Sequence, residues 1–136
     1  MDFANLGDAM HKSKLAGFII DCQTADLDGA ADFWGSALGM QVRALPPGEG
    51  EIYKKLEDSK HGLAIEVQRV SHPSRVHLDI ETDDIEAEAS RLEKLGAKRI
   101  NLVRGRWWVM EAPSGHHFCV VRQQREPFGP HLNTWD

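Results

Sequence analysis

Apolar and polar residues alternate in four stretches of the chain. Phe18, Ile20 and Cys22, then Leu63, Ile65 and Val67, then Val76, Leu78 and Ile80, and finally Phe118 and Val120 each take every second position, the period of a strand with one buried face. After the first stretch the period changes. Ala30, Phe33, Trp34, Ala37 and Leu38 recur at helical spacing, behind Asp26 in the place of an N-cap and ahead of Gly39 as a stop. Trp34 is read as a core residue of that helix. The pattern predicts a strand over 15–23, this helix, a short strand at Met40 to Arg43, a strand over 51–56 after the Pro46-Pro47-Gly48 turn, and another over 63–67 after His61-Gly62.

The second half repeats that order, with a strand over 75–81, a helix over 83–95, strands over 98–102 and 106–111, the turn Pro113-Ser114-Gly115, and a strand over 116–122. Aligning Asp26 with Asp84 brings Leu38-Gly39 within one residue of Leu95-Gly96, the mark of an internal duplication. The fold class expected is α+β: two tandem β-α-β-β-β modules, 15–70 and 75–123, in one domain over 15–123, with a flexible arm at 1–14 and a tail at 124–136. Eight strands form a mixed sheet that curls around a cleft, with the helices on its outer face.

The strand residues of opposite parity are different in kind: Ile19 and Asp21, Ala64 and Glu66, His77 and Asp79, then His117, Cys119 and Val121. An unpaired polar group in a dry interior costs about 1–3 kcal/mol and a charge costs more. This face is therefore expected to meet water, a ligand or a metal. It forms the cleft, with acids and imidazoles from both modules pointing in.

Composition narrows the partners. The 136 residues carry 16 Lys plus Arg against 21 Asp plus Glu, a formal charge of −5, with no basic stripe to track phosphates, so nucleic acid is set aside. No apolar stretch reaches the ~20 residues of a membrane span, and the N-terminal MDFANLGDAMHKSK has no signal-peptide pattern. A cytoplasmic protein with no membrane partner is expected. Cys22 and Cys119, without a CxxC partner, are read as reduced thiols rather than a disulfide or zinc pair.

Three segments together, D-x-x-x-x-A-x-F-W-x-x-x-L-G-M in the first module, V-H-L-D-I-x-x-D-D-I-x-A-E-A-x-R-L-x-x-L-G-A in the second, and P-S-G-x-x-F-C-V-V at its close, resemble the vicinal oxygen chelate superfamily. The resemblance covers about residues 15–123 and is nearest to the glyoxalase-like domains related to glyoxalase and bleomycin-resistance proteins. It implies ligand positions on the first and last strand of each module, which fall here at Ile19, Glu66, His77 and Cys119. Glu66 and His77 match the family pattern, Ile19 does not, and Cys119 stands where an acid is usual. Asp79 and His117 share the face and could supply a third ligand, as in a set of Glu66, His77 and His117, since two histidines and a carboxylate suit ferrous iron. A divalent metal, iron, zinc, nickel or manganese, is the cofactor this implies, and a homodimer the assembly.

Each candidate has a plainer reading. Glu66 and His77 are expected to carry catalysis, with Glu66 accepting a proton from a carbon next to a carbonyl; the plain alternatives are a solvated edge acid and a strand histidine bonded to a carboxylate. Asp21 and Asp79 contribute to substrate binding or only order the cleft rim. Cys119 is a thiol in the pocket or inert packing. Trp107 and Trp108 are adjacent on a strand, so one faces the helices and the other forms an aromatic wall against a small organic ligand. Two functions stay open: a metal-dependent lyase, isomerase or dioxygenase, and a metal-free protein that binds or sequesters a drug-like molecule. No phosphate cradle and no Ser-His-Asp set is present in the sequence.

Overall fold

The computed structural model describes residues 10–58, 60–124 and 127–136. In chain order these form β1 (His11–Cys22), α1 (Leu27–Leu38), β2 (Val42–Ala44), β3 (Tyr53–Leu56), β4 (Ala64–Arg69), β5 (Arg75–Thr82), α2 (Ile85–Lys94), β6 (Lys98–Val103), β7 (Trp107–Glu111), β8 (His117–Arg122) and β9 (Asn133–Trp135). The chain is α+β, and the β-α-β-β-β order occurs twice. Two compact units contain these elements, Gly17–His77 and a second built from Leu78–Asp136 with the chain up to Ala16.

In the unit Gly17–His77, β4 pairs in parallel with the second half of β1, and β3 and β2 follow it antiparallel. The α1 helix starts where the Asp26 carboxylate accepts the Gly29 amide and stops at Gly39, whose φ of 69° is left-handed, a conformation glycine adopts without a Cβ clash. Its buried face is Leu27, Ala31 and Gly35, packed with Ile20, Cys22, Leu56, Ile65 and Val67, while Trp34 adds to the edge of that cluster. Phe33, at helical spacing, lies 63% exposed, with its ring edge-on to Trp34 at 5.1 Å.

In the other unit β5 pairs with β8 in parallel, and β7 and β6 follow antiparallel, with a bulge between Arg99 and Asn101. Asp84 caps α2 by accepting from the Ala87 amide. Ile85, Ala89 and Leu92 pack on Met110 and Val120, with Ile80, Trp108 and Phe118 around them.

Three expectations change. Residues 11–14, expected in a flexible arm, form the start of β1, and residues 1–9 lie outside the described residues. The tail is not free of regular structure: β9 pairs antiparallel with His11–Ser13, which gives nine strands among the described residues where eight were expected. Ties across this edge explain the gain. Glu88, fully buried, lies 2.8 Å from His11 Nε2 and accepts two bonds from Arg91; Arg91 in turn stacks 3.8 Å over the Trp135 ring, and the Trp135 indole donates to Ser13 Oγ. Finally, Val76 and Leu78 are not core but 56% and 52% exposed. Of that apolar parity in β5 only Ile80 reaches a helix cluster, because α1 lies over β2, β3 and β4, and α2 over β6, β7 and β8.

Candidate functional site

Strand pairing sets the polar face of the unit Gly17–His77. Side chains opposite one another in a ladder lie on the same side of a sheet, so the pairs Arg43 with Lys55, Lys55 with Glu66 and Glu66 with Ile19 make one row, and Tyr53 with Gln68 and Gln68 with Asp21 make the next. Ile65, Val67, Ile20 and Leu56 point the other way into the core under α1. Gly17 lets this face form: a Cβ there would meet the Ala64 carbonyl oxygen at 1.9 Å, so only glycine permits β1 and β4 to close at this point.

Along the second row, Gln68 donates to the Tyr53 hydroxyl at 3.0 Å. Asp21 is 2% exposed; its Oδ2 lies 2.8 Å from His77 Nδ1 and 3.6 Å from Arg75 Nε, and its Oδ1 has no hydrogen-bond partner among the described residues. In the first row, burial pushes the Glu66 carboxyl above its ordinary range, and the charge of Glu49 adds to the rise, against the opposing pull of Lys55 and His77. A carboxyl raised in this way is a poised proton acceptor. Burial and the neighbouring Asp21 likewise raise the Cys22 thiol, which keeps it protonated and inert.

In the unit that includes Leu78–Asp136, the corresponding face carries Asp79, Cys119, Val109, Glu111, His117 and Trp107. Asp79 stands opposite Cys119 in the β5/β8 ladder, their ligand atoms within 4.8 Å of each other. His117 Nε2 is 3.4 Å from Glu111 Oε1. Trp108 is on the helix side: its indole donates to Glu86, the Arg99 guanidinium lies 4.7 Å over its ring, and it packs on the α2 cluster. Of the expected tryptophan pair, Trp107 alone has the parity of the polar face.

The ladder also revises one equivalence. Counting from the turn glycines makes Cys119 the counterpart of Glu66, yet Glu66 stands opposite Ile19, whereas Cys119 stands opposite Asp79, the counterpart of Asp21. Cys119 therefore matches Gln68, and the step that matches Glu66 falls at His117. A slip of two residues leaves every side chain on its face, so alternation cannot reveal it. Lys55, Tyr53, Gln68 and Arg75 are additions that the sequence did not single out. Tyr53 and Lys55 could be placed only once β3 had a pairing partner.

The donor chemistry fits a divalent metal. In the unit Gly17–His77, His77 holds a carboxylate behind Nδ1, the arrangement that orients ligating histidines through Nε2; in the other unit Asp79 and Cys119 stand opposite one another, and imidazole, carboxylate and thiolate are each donors for zinc or iron. A separate hollow of about 280 Å³ at the start of α1, lined by Asp26, Asp28, Gly50, Glu51, Lys54 and Arg69, opens on the helix side, where Lys54 pairs with Asp28.

The family model for the glyoxalase-like domain matches residues 17–121. Similar solved structures include a hypothetical protein from Bacillus halodurans C-125, 15% identical, with 83% of this chain and 96% of that one covered at a TM-score of 0.61. A methylmalonyl-CoA epimerase from Mycobacterium tuberculosis is 14% identical over 83% and 91% at 0.59, and a methylmalonyl-CoA epimerase in complex with methylmalonyl-CoA and NH4+ is 16% identical over 81% and 94% at 0.56. At these identities the likeness is one of fold. No curated protein matches the sequence. Among the described residues no helix is long and apolar enough to cross a membrane.

Proposed function

The chain belongs to the glyoxalase-like domain family of the vicinal oxygen chelate superfamily, and from that premise we propose that it binds a small carbonyl compound on its polar face and moves a proton on the carbon beside the carbonyl. The observation that carries this reading is Glu66, a carboxyl raised by burial in a row of hydrophilic side chains. Glu66 takes the α-proton on a carboxylate oxygen, and the electron pair left behind passes to the carbonyl oxygen, where the Lys55 ammonium, across the ladder from Glu66, stabilises the charge. Returning the proton from Glu66 to the adjacent carbon of an α-hydroxy ketone's enediolate gives an isomerase, and delivery from a second acid to the opposite face of the original carbon gives an epimerase. Within the unit Gly17–His77, His77, with Glu66 as a further donor, would hold a divalent ion (iron, zinc, nickel or manganese), which when bound would polarise the carbonyl as a Lewis acid. Asp21 orders His77.

A second reading, a binder that sequesters a small molecule without chemistry, is favoured by Ile19, a buried hydrocarbon in the row where the family carries a ligand. The two part in deuterium oxide. With a panel of 2-alkyl acyl thioesters and α-hydroxy ketones, proton exchange at the α-carbon that is lost in Glu66→Gln supports catalysis. Tryptophan quenching by such compounds without exchange favours the binder, and neither signal refutes both. A cytoplasmic homodimer goes with this reading, and a monomeric mass by light scattering would remove the dimer from it.

A further inference from the structure

We infer that Asp21 is a positioning residue that fixes the tautomer of His77, with the ring proton on Nδ1 and the lone pair on Nε2. The inference deepens the function proposed above, and rests on it for what the lone pair then does, but the tautomer itself is a property of the ligand-free chain. Asp21 Oδ2 lies 2.8 Å from His77 Nδ1. An ionised carboxylate can only accept a hydrogen bond, so a neutral imidazole at this distance must bring its proton to Nδ1. The Arg75 guanidinium lies 3.6 Å from the same oxygen.

A packing role alone does not account for this aspartate. It is 2% exposed, and its Oδ1 has no hydrogen-bond partner among the described residues, an arrangement that costs folding free energy and is seldom kept without a task. The proton acceptor proposed above is Glu66, not Asp21. What remains is orientation. The side chain of His77, 13% exposed, is turned by the bond so that Nε2 is the atom a substrate proton or a metal would meet. The first module has Ile19 at the position equivalent to His77 and therefore no imidazole to orient. Its Asp21 serves the histidine of the second.

The test is a long-range proton–nitrogen NMR spectrum of the uniformly labelled, ligand-free protein, recorded at a mildly alkaline pH where imidazoles are neutral, with His77 assigned sequentially. The expected wild-type spectrum has a protonated Nδ1 and a bare Nε2 at His77, whereas Asp21→Ala moves the proton toward Nε2, the form free side chains favour in water. A wild-type His77 with its proton on Nε2 overturns the inference, and so does an Asp21→Ala spectrum that still has it on Nδ1. Should Asp21→Ala not fold, the wild-type spectrum decides by itself. As a second readout, Asp21→Ala lowers kcat for α-proton exchange about 10- to 100-fold, the usual cost of losing a partner that orients a histidine, and leaves KM nearly unchanged; an unaltered kcat contradicts the role. If no compound exchanges at all, the function proposed above fails while the tautomer result stands.

Discussion

Replacing Glu88 by alanine should cost about 3 kcal/mol of folding stability. This carboxylate is fully buried and lies 2.8 Å from His11 and from two nitrogens of Arg91, in a network that continues to Ser13 and Trp135. Hydrogen bonds to a charged group contribute about 1.5–3 kcal/mol each, though not additively, and removing one partner of a buried pair costs about 3–5 kcal/mol. The lower end applies here. Arg91 is 24% exposed on its side chain and can turn to water while keeping its contact with Trp135, whereas His11, 5% exposed, is left without its partner. For a chain of this size the loss is a fall of about 10 °C in Tm, read by calorimetry or circular dichroism. The bonds from Arg91, His11 and Ser13 hold the Glu88 carboxyl below its ordinary value of 4.5 against the opposing effect of burial. A depressed carboxyl contributes stability at neutral pH that is lost as the pH falls through the folded value, so the gap between wild type and Glu88→Ala should narrow on acidification below about pH 4.5. A Tm change under about 3 °C, or a gap that widens in acid, would refute this account of the network.

Gly17→Ala places a methyl 1.9 Å from the Ala64 carbonyl oxygen and should destabilise by about 3 kcal/mol or more, the upper range for overpacking, with amide exchange rising first at Ile19 and Asp21 beside β4; unchanged protection there would contradict the close approach. Glu66→Gln should act in the opposite direction. Because burial raises this carboxyl, its ionised form opposes folding at neutral pH, so the variant gains stability above the ordinary value of 4.5 and the gain vanishes below it, which urea titrations at two pH values would read. Trp135→Ala removes the contact with Arg91 and the bond to Ser13, and should release β9 with a loss of about 2 kcal/mol; hydrogen exchange at His11 to Ser13 that stays slow would count against the tie.

What the sequence could tell was set by the range of the interactions. Asp26, Gly39 and Asp84 act on their own helix, within a turn: Asp26 and Gly39 bound α1, and Asp84 starts α2. Alternation separated Glu66, Asp21 and His77 from Ile65 and Ile20 because a strand's period is local. Nothing local marks where a helix comes to rest, and so Val76 and Leu78 were assigned to a core that neither helix covers. The three residues of β9 have too little pattern to read, and their partners at His11 to Ser13 lie at the far end of the chain. The bond between Asp21 and His77 was hidden for the same reason: each residue is legible, but the pairing belongs to the tertiary fold.

The antiparallel pairing of His11 with Trp135 has a practical consequence for engineering. A linker of a few residues can join these neighbouring strands head to tail, and a new start cut into the Ser71–Ser74 connection then reverses the order of the modules while every ladder keeps its register. Such a circular permutant makes the β1–β9 link covalent, whereas a fragment starting at Arg75 loses the strand that supplies His11 to Glu88. Separately expressed halves are therefore a poor way to study the duplication, and the permutant is the better one.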